Sequence, residues 1–162
     1  FVVDEIDAQE IEKIAISSTK IRKSINEGDL ETTRVYLGRF FSLTGKVVKG
    51  DGLGKQIDYP TANIKIEENY KIIPKDGVYY IKTTIDNKLY NGMMNIGHRP
   101  TIGSKEKSIE VNLFNFNRDI YDKIISINVI KKIRDEKKFS SIEALKAQLA
   151  KDQEHCLKLI NK

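Results

Sequence analysis

The 162 residues contain one cysteine, three prolines, two histidines and no tryptophan. A single thiol, Cys156, cannot form an intramolecular disulfide, which fits a reducing compartment and gives a cytoplasmic expectation. His155 stands beside Cys156 but is too isolated to make a metal site. No apolar run approaches bilayer length and no signal peptide is visible, so no membrane partner is expected. Internal repeats and low-complexity segments are also lacking. The spacing G-x-x-x-x-G-K-[ST] is absent, because Gln56 follows Lys55, and this excludes a Walker A loop. The chain opens on Phe1 rather than Met and is read as a piece of something longer.

What is present is ordinary for a folded domain: 40% hydrophobic and 31% charged residues, enough chain to bury a core. Net charge is +5. The densest basic run, Lys131 to Lys138, is broken by Asp135 and Glu136, so it reads as a solvated surface rather than a nucleic-acid patch.

The first forty residues read as helical. Ser17-Ser18-Thr19 offers N-cap side chains, with Ile21 and Ile25 four apart behind them. Gly28 suits a stop, Asp29 can cap a second short helix, and Leu30, Thr33 and Leu37 could share its buried face before Gly38. From Phe41 the pattern becomes strand-like: Leu43 with Val47 and Val48, then Val78 to Ile85, then Leu89 to Ile96. Asp86-Asn87 between the last two predicts a hairpin with a two-residue turn. Ser108 to Phe116 alternates, with Ile109, Val111 and Leu113 on one face and Glu110, Asn112, Phe114 and Phe116 on the other. Ile124 to Ile133 is strongly β-branched. The last twenty residues read as a helix, opened by a capping box of Ser140 and Glu143 and striped by Ile142, Leu145, Leu149, Cys156 and Ile160. Short strands between terminal helices argue for a closed or nearly closed antiparallel barrel.

Four segments could carry chemistry. Gly50, Gly52 and Gly54, flanked by lysines including Lys55, could let backbone N–H groups approach a phosphate; the alternative is a flexible turn. In Tyr59-Pro60-Thr61-Ala62-Asn63, Thr61 and Asn63 would share a face if extended, offering a hydroxyl and a carboxamide of the kind Mg²⁺ accepts; a polar turn is the commoner fate. Glu110 lies mid-strand, either solvated or in a pocket where it could accept a proton. Asn95 to Gly103, with His98 and Pro100, reads as a loop after a strand, able to border a ligand.

Taken in order, these pieces resemble the riboflavin kinase family. The resemblance runs from the glycine-rich loop into Pro60-Thr61-Ala62-Asn63. It continues through Asp76-Gly77-Val78-Tyr79-Tyr80, Asn95-Ile96-Gly97-His98-Arg99-Pro100-Thr101, Ile109-Glu110-Val111-Asn112-Leu113 and Ile133-Arg134-Asp135-Glu136-Lys137-Lys138-Phe139 to the closing helix. Upstream, Ile16-Ser17-Ser18-Thr19-Lys20-Ile21-Arg22 is similar to the last motif of the FMN adenylyltransferase half of bacterial bifunctional FAD synthetases.

The resemblance implies a mainly β fold: a six-stranded antiparallel Greek-key β-barrel with a C-terminal α-helix, preceded by short N-terminal helices. It divides the chain into residues 1–38, the end of an adenylyltransferase domain and a linker, and residues 39–162, the kinase domain. It implies phosphoryl transfer from ATP to the riboflavin 5′-hydroxyl with Mg²⁺, giving FMN and ADP. Gly50, Gly52, Gly54 and Lys55 would cover the ATP phosphates. Thr61 and Asn63 would hold Mg²⁺ and ATP, Glu110 would be the base, and Arg134 would neutralise developing charge. Ser18, Thr19 and Arg22 would be a remnant phosphate motif at a helix N-terminus, without adenylyltransferase activity in this chain. Partners would be riboflavin, FMN, ATP and ADP, plus the adenylyltransferase domain of a longer parent, with no nucleic acid. Rival readings are a small basic barrel binding nucleic acid, as OB-folds do, or one binding flavin without turnover.

Three positions depart from the family pattern. Asp58-Tyr59 stands where Gly-Phe is usual, with an expected effect on the loop over the nucleotide or on the metal's surroundings. Asn112 replaces a histidine, and Asn115 stands where aspartate is common.

Overall fold

The computed structural model describes residues 7–68, 70–98 and 106–162, with the side chain of Ile11 left aside. Six strands close into an antiparallel barrel in the order β1-β2-β5-β4-β3-β6. They are β1 (Phe41–Val48), β2 (Ala62–Lys65), β3 (Gly77–Ile85), β4 (Lys88–His98), β5 (Lys107–Leu113) and β6 (Ile124–Asp135). β3, β4 and β5 follow one another, and β6 returns to lie beside β3, which is a Greek key. Asp86 and Asn87 make the β3–β4 turn at φ 49° and 63°, the left-handed pair that a two-residue hairpin of this hand needs.

The barrel interior is filled. Leu43, Val47, Tyr79, Ile81, Met94, Ile96 and Ile127 are fully buried and belong to one apolar cluster. Ile25 and Leu30, from the N-terminal helices, belong to that same cluster, so the core runs across the composition change near Gly38. A second layer lies outside the barrel: Val78, Tyr80, Met93 and Phe114 pack with Cys156 of the closing helix α4 (Ile142–Ile160). Alternation along β3 and β4 therefore serves two cores, one inside the barrel and one under α4.

The N-terminal reading needs one correction. The first helix, α1 (Ala8–Glu27), is continuous and is capped by Asp7, whose carboxylate accepts from Gln9 N. Ser17, Ser18 and Thr19 do not start a helix; they sit in its body, and Thr19 Oγ1 bonds the Ala15 carbonyl one turn back. The second helix, α2 (Leu30–Leu37), is capped by Asp29, through Thr32 N, and both helices end at glycines, Gly28 and Gly38. Thr33 is buried as expected, and its hydroxyl meets that of Ser24 at 2.7 Å, which locks the two helices together.

Three smaller corrections follow. The N-cap of α4 is Ser141, not Ser140, and it accepts from Ala144 N. The ends of the expected stripe, Ile142 and Ile160, are exposed, while Asp152 is buried on it. β5 ends at Leu113; Asn115 takes a positive φ of 54° and turns Phe116 edge-on to the Tyr90 ring.

Candidate functional site: a cleft between the barrel wall and the closing helix

One lateral row of the barrel carries the site. Across neighbouring strands, Asn63 stands opposite Glu110, Glu110 opposite Asn95, Asn95 opposite Val78, and Val78 opposite Arg134. Residues in such a row share a face. Here it is the outer face, because Ile64, Ile96, Ile109 and Val111 point into the interior cluster. All five row residues line a cavity of about 310 Å³. Asp51, Gly52, Gly54, Tyr59 and Thr61 from the β1–β2 loop border it on one side, and Leu145 and Leu149 of α4 on another. Thr61, Asn63, Glu110 and Arg134, four of the residues singled out by sequence, are thus brought to one cleft.

The glycine-rich loop is more structured than a flexible turn. It contains a helical turn, α3 (Leu53–Gln56), which sequence reasoning missed, and Gly52 precedes it at φ 73°. Gly50 and Gly54 are needed for close approach. A Cβ on Gly50 would come within 1.8 Å of Asn63 Nδ2, and one on Gly54 within 2.3 Å of the Tyr59 carbonyl and 3.2 Å of Thr61 Oγ1. The two glycines therefore let the loop lie directly on Asn63 and Thr61.

Asn112 fixes the same segment from the barrel side. It is buried, and its Nδ2 donates to the Pro60 carbonyl at 2.8 Å. The Asn112 carboxamide thus holds the Pro60-Thr61 backbone. Asp58 occupies the left-handed region at φ 64°, a conformation that favours glycine. Its carboxylate accepts from Lys146 of α4 at 2.6 Å, tying the loop to the helix.

Arg134 is the penultimate residue of β6, and its Nε and Nη2 donate to the Asp152 carboxylate at 2.8 to 3.0 Å, while Nη1 donates to the Asp135 carbonyl. Gln148 completes the shell by donating to Asp152. Sequence reasoning missed Asp152, although the signal existed: it falls three after Leu149 and four before Cys156, on the helix's own apolar stripe.

Other expectations part from this cleft. Lys55 lines a second, adjoining cavity of about 270 Å³ with Pro60, Phe116, Asn117, Arg118, Asp119 and Tyr121; Thr61 borders both cavities. Ser18, Thr19 and Arg22 lie along the middle of α1, so the helix N-terminus expected to serve them does not exist there. His98 pairs with Asp76, Nδ1 to Oδ2 at 2.7 Å, at the far end of β4 and outside the cavity lining. Residues 99–105 of that loop motif lie outside the described residues. Among the described residues no three His, Cys, Asp or Glu side chains cluster to hold a metal ion, and no helix is long and apolar enough to cross a membrane.

Residues 37–160 match the family described as Flavokinase, riboflavin kinase. The bifunctional riboflavin kinase/FMN adenylyltransferase of Bacillus subtilis is 41% identical over 146 residues, which are 88% of this chain and 46% of the relative. That of Listeria monocytogenes is 40% identical over 155 residues, 95% and 49% of the two chains. The chain therefore spans about half the length of these curated relatives. A solved Streptococcus pneumoniae structure, titled a macrolide-efflux protein, superposes with TM-score 0.81 at 32% identity, covering 95% of this chain and 56% of that one. The riboflavin kinase of Trypanosoma brucei shares the fold alone, at TM-score 0.52 and 24% identity over 75% of this chain and 80% of that one. With a family match over most of its length, this chain belongs to the riboflavin kinase family.

Proposed function

We propose that the chain transfers the γ-phosphoryl group of ATP to the 5′-hydroxyl of riboflavin, giving FMN and ADP. The observation that carries this reading is the meeting of Thr61, Asn63, Glu110 and Arg134 in one cleft, beside a second cavity that shares Thr61. A reaction between two bound substrates needs two adjoining seats. The first cavity, walled by Leu145, Leu149, Met93 and Val78, suits the apolar ring system of the flavin. The second, with Lys55 and Arg118 among its lining, suits an anionic nucleotide.

In this reading Glu110 accepts the hydroxyl proton as the oxygen attacks phosphorus. The new O–P bond forms as the bond to the β-phosphate bridging oxygen breaks, and ADP leaves. The loop from Gly50 to Gly54 would cover the phosphates, with Lys55 adding positive charge from the second cavity. Arg134 contributes positive charge from a position fixed by Asp152. Thr61 and Asn63 would hold Mg²⁺ through neutral oxygens. Such a pair is too weak to capture the ion alone, but it suits a cation that arrives with nucleotide phosphates. Bound there, Mg²⁺ supplies charge neutralisation.

Ser18, Thr19 and Arg22 lie in the body of α1 rather than at a helix N-terminus, and adenylyl transfer to FMN is not expected of this chain. Efflux, named for the Streptococcus pneumoniae protein, finds no support in a barrel whose interior is filled by Leu43, Ile81, Met94, Ile96 and Ile127. A cytoplasmic setting accords with the small-molecule substrates and with the single, buried thiol. The test is direct. Incubation with riboflavin, ATP and Mg²⁺ should yield FMN by chromatography, with no FAD. Absence of FMN would overturn the reading, and appearance of FAD would overturn its restriction to the kinase step.

A further inference from the structure

The lateral row through the cleft contains one polar residue to which neither sequence nor family resemblance gave a separate role. Asn95 stands between Glu110 on β5 and Val78 on β3, and it lines the cavity with both. Side chains directly opposed on one face of an antiparallel pair stand roughly 4.5–5.5 Å apart at Cβ, so the Asn95 carboxamide lies beside the Glu110 carboxylate. Among the described residues no protein group hydrogen-bonds the Asn95 side chain, and it is half-buried, turned to the cavity. Asn112, the other cavity-lining asparagine of these two strands, has its carboxamide engaged by the Pro60 carbonyl.

A carboxamide offers one acceptor and two donors in a plane, which matches an alcohol that must both give and receive a hydrogen bond. The walls around it divide by chemistry. Val78, Met93, Leu145 and Leu149 are apolar and suit a ring, whereas Asn95, Glu110 and Asn63 form the polar strip along the barrel. A ligand with a flat apolar end and a chain of hydroxyls would place the ring under α4 and the chain along the strip. The hydroxyl next to the reacting one would then fall at the neighbour of Glu110.

Resting on the kinase reading above, we propose that Asn95 is the specificity residue for the polyhydroxylated chain. It hydrogen-bonds a chain hydroxyl adjacent to the one deprotonated by Glu110, and so sets which hydroxyl faces the base. Its neighbour across the ladder does the chemistry; Asn95 selects and aligns.

The test uses the intact chain with two flavins, riboflavin and lumiflavin, which has the ring but no hydroxyl chain. Quenching of flavin fluorescence on binding gives the affinity of each. Asn95→Ala should weaken riboflavin about tenfold, the scale of one lost hydrogen bond, and leave lumiflavin unchanged. Equal loss for both flavins, or loss for neither, overturns the proposal. Asn95→Ser, which keeps a hydroxyl, should recover part of the riboflavin affinity.

A second variant separates the hydroxyl chain from the nucleotide. Asn95→Asp keeps the size of the side chain and removes its two donors. The riboflavin KM should rise several-fold while the MgATP KM holds; equal rises in both, or a rise in neither, overturn the role of Asn95 in holding the chain. These outcomes are separable from the kinase reading, which fails only if the wild-type chain itself makes no FMN.

Discussion

Asp152 holds Arg134: a carboxylate only 2% exposed accepts three hydrogen bonds of 2.8–3.0 Å from the guanidinium at the cavity edge. A buried charge pair of this kind is costly to break from one side, because the remaining ion stays desolvated. Asp152→Ala should therefore lower unfolding stability by roughly 3 kcal/mol. Asp152→Asn keeps the shape, and there the functional role separates from the structural one. With Arg134 no longer pinned, kcat for FMN formation should fall several-fold while the riboflavin KM changes little. Urea unfolding and steady-state kinetics on both variants check this. An unchanged kcat in Asp152→Asn would reduce the pair to a structural brace.

Glu110 sits in the middle of the row, with Asn63 and Asn95 opposite it on the two flanking strands. Glu110→Gln preserves size but removes the carboxylate proposed as the proton acceptor. kcat should drop by about two to four powers of ten, the scale of a positioned base, with the urea midpoint unchanged. Thr61→Ala should instead raise the MgATP requirement and leave riboflavin binding intact. Near wild-type turnover in Glu110→Gln would remove the carboxylate from the reaction.

The Asp58–Lys146 pair sets two small effects against each other. A non-glycine residue at φ 64° costs roughly 1 kcal/mol, and an ion pair this exposed returns little against it. Asp58→Gly should thus be as stable as the wild type or slightly more so. What it loses is the tie between the β1–β2 loop and α4 on two sides of the cleft. The wild-type riboflavin KM should rise with added salt as the pair is screened, whereas the Asp58→Gly value should start high and stay flat. Parallel salt curves for the two proteins would show that the tie does not gate the cleft.

Much of this arrangement was legible because its signals are local. Gly28, Asp29 and Gly38 punctuate helices by their own backbone and capping preferences, and Asp86-Asn87 announces a hairpin by tolerating positive φ. The alternation from Ile109 to Leu113 put Glu110 on the face opposite the core, where it is found. The capping errors arose where several candidates compete: Ser17 to Thr19 are good caps, but a hydroxyl within a helix can bond back to the preceding turn. The relations that make the site were not legible, because they depend on strand register. Nothing local says that Asn95 faces Glu110 or that Val78 faces Arg134; long-range pairing decides it. Asp152 is illegible for the same reason: an acid on an apolar stripe is explained only by Arg134 across from it.

Two buried groups tie stability to alkaline pH. Burial pushes the Cys156 thiol up to about 12 from an ordinary 9.0, with the nearby Asp152 charge adding to it. Burial also raises the Tyr79 phenol, whose hydroxyl donates to the Lys75 carbonyl. Both groups are neutral in the fold and ionise more easily once unfolded, so the unfolded state gives up protons first as pH rises. Their contribution is whole below pH about 9 and is lost progressively between about 9 and 12 for the thiol. The urea midpoint should accordingly hold steady from neutral pH to about 9 and fall above it, and Cys156→Ala should flatten part of that fall. At neutral pH the same burial makes the thiol inert: a thiol reagent should label Cys156 only on unfolding, at a rate that follows the urea transition. Rapid labelling of the folded chain at neutral pH would contradict the packing of Cys156 against Val78, Tyr80 and Met93.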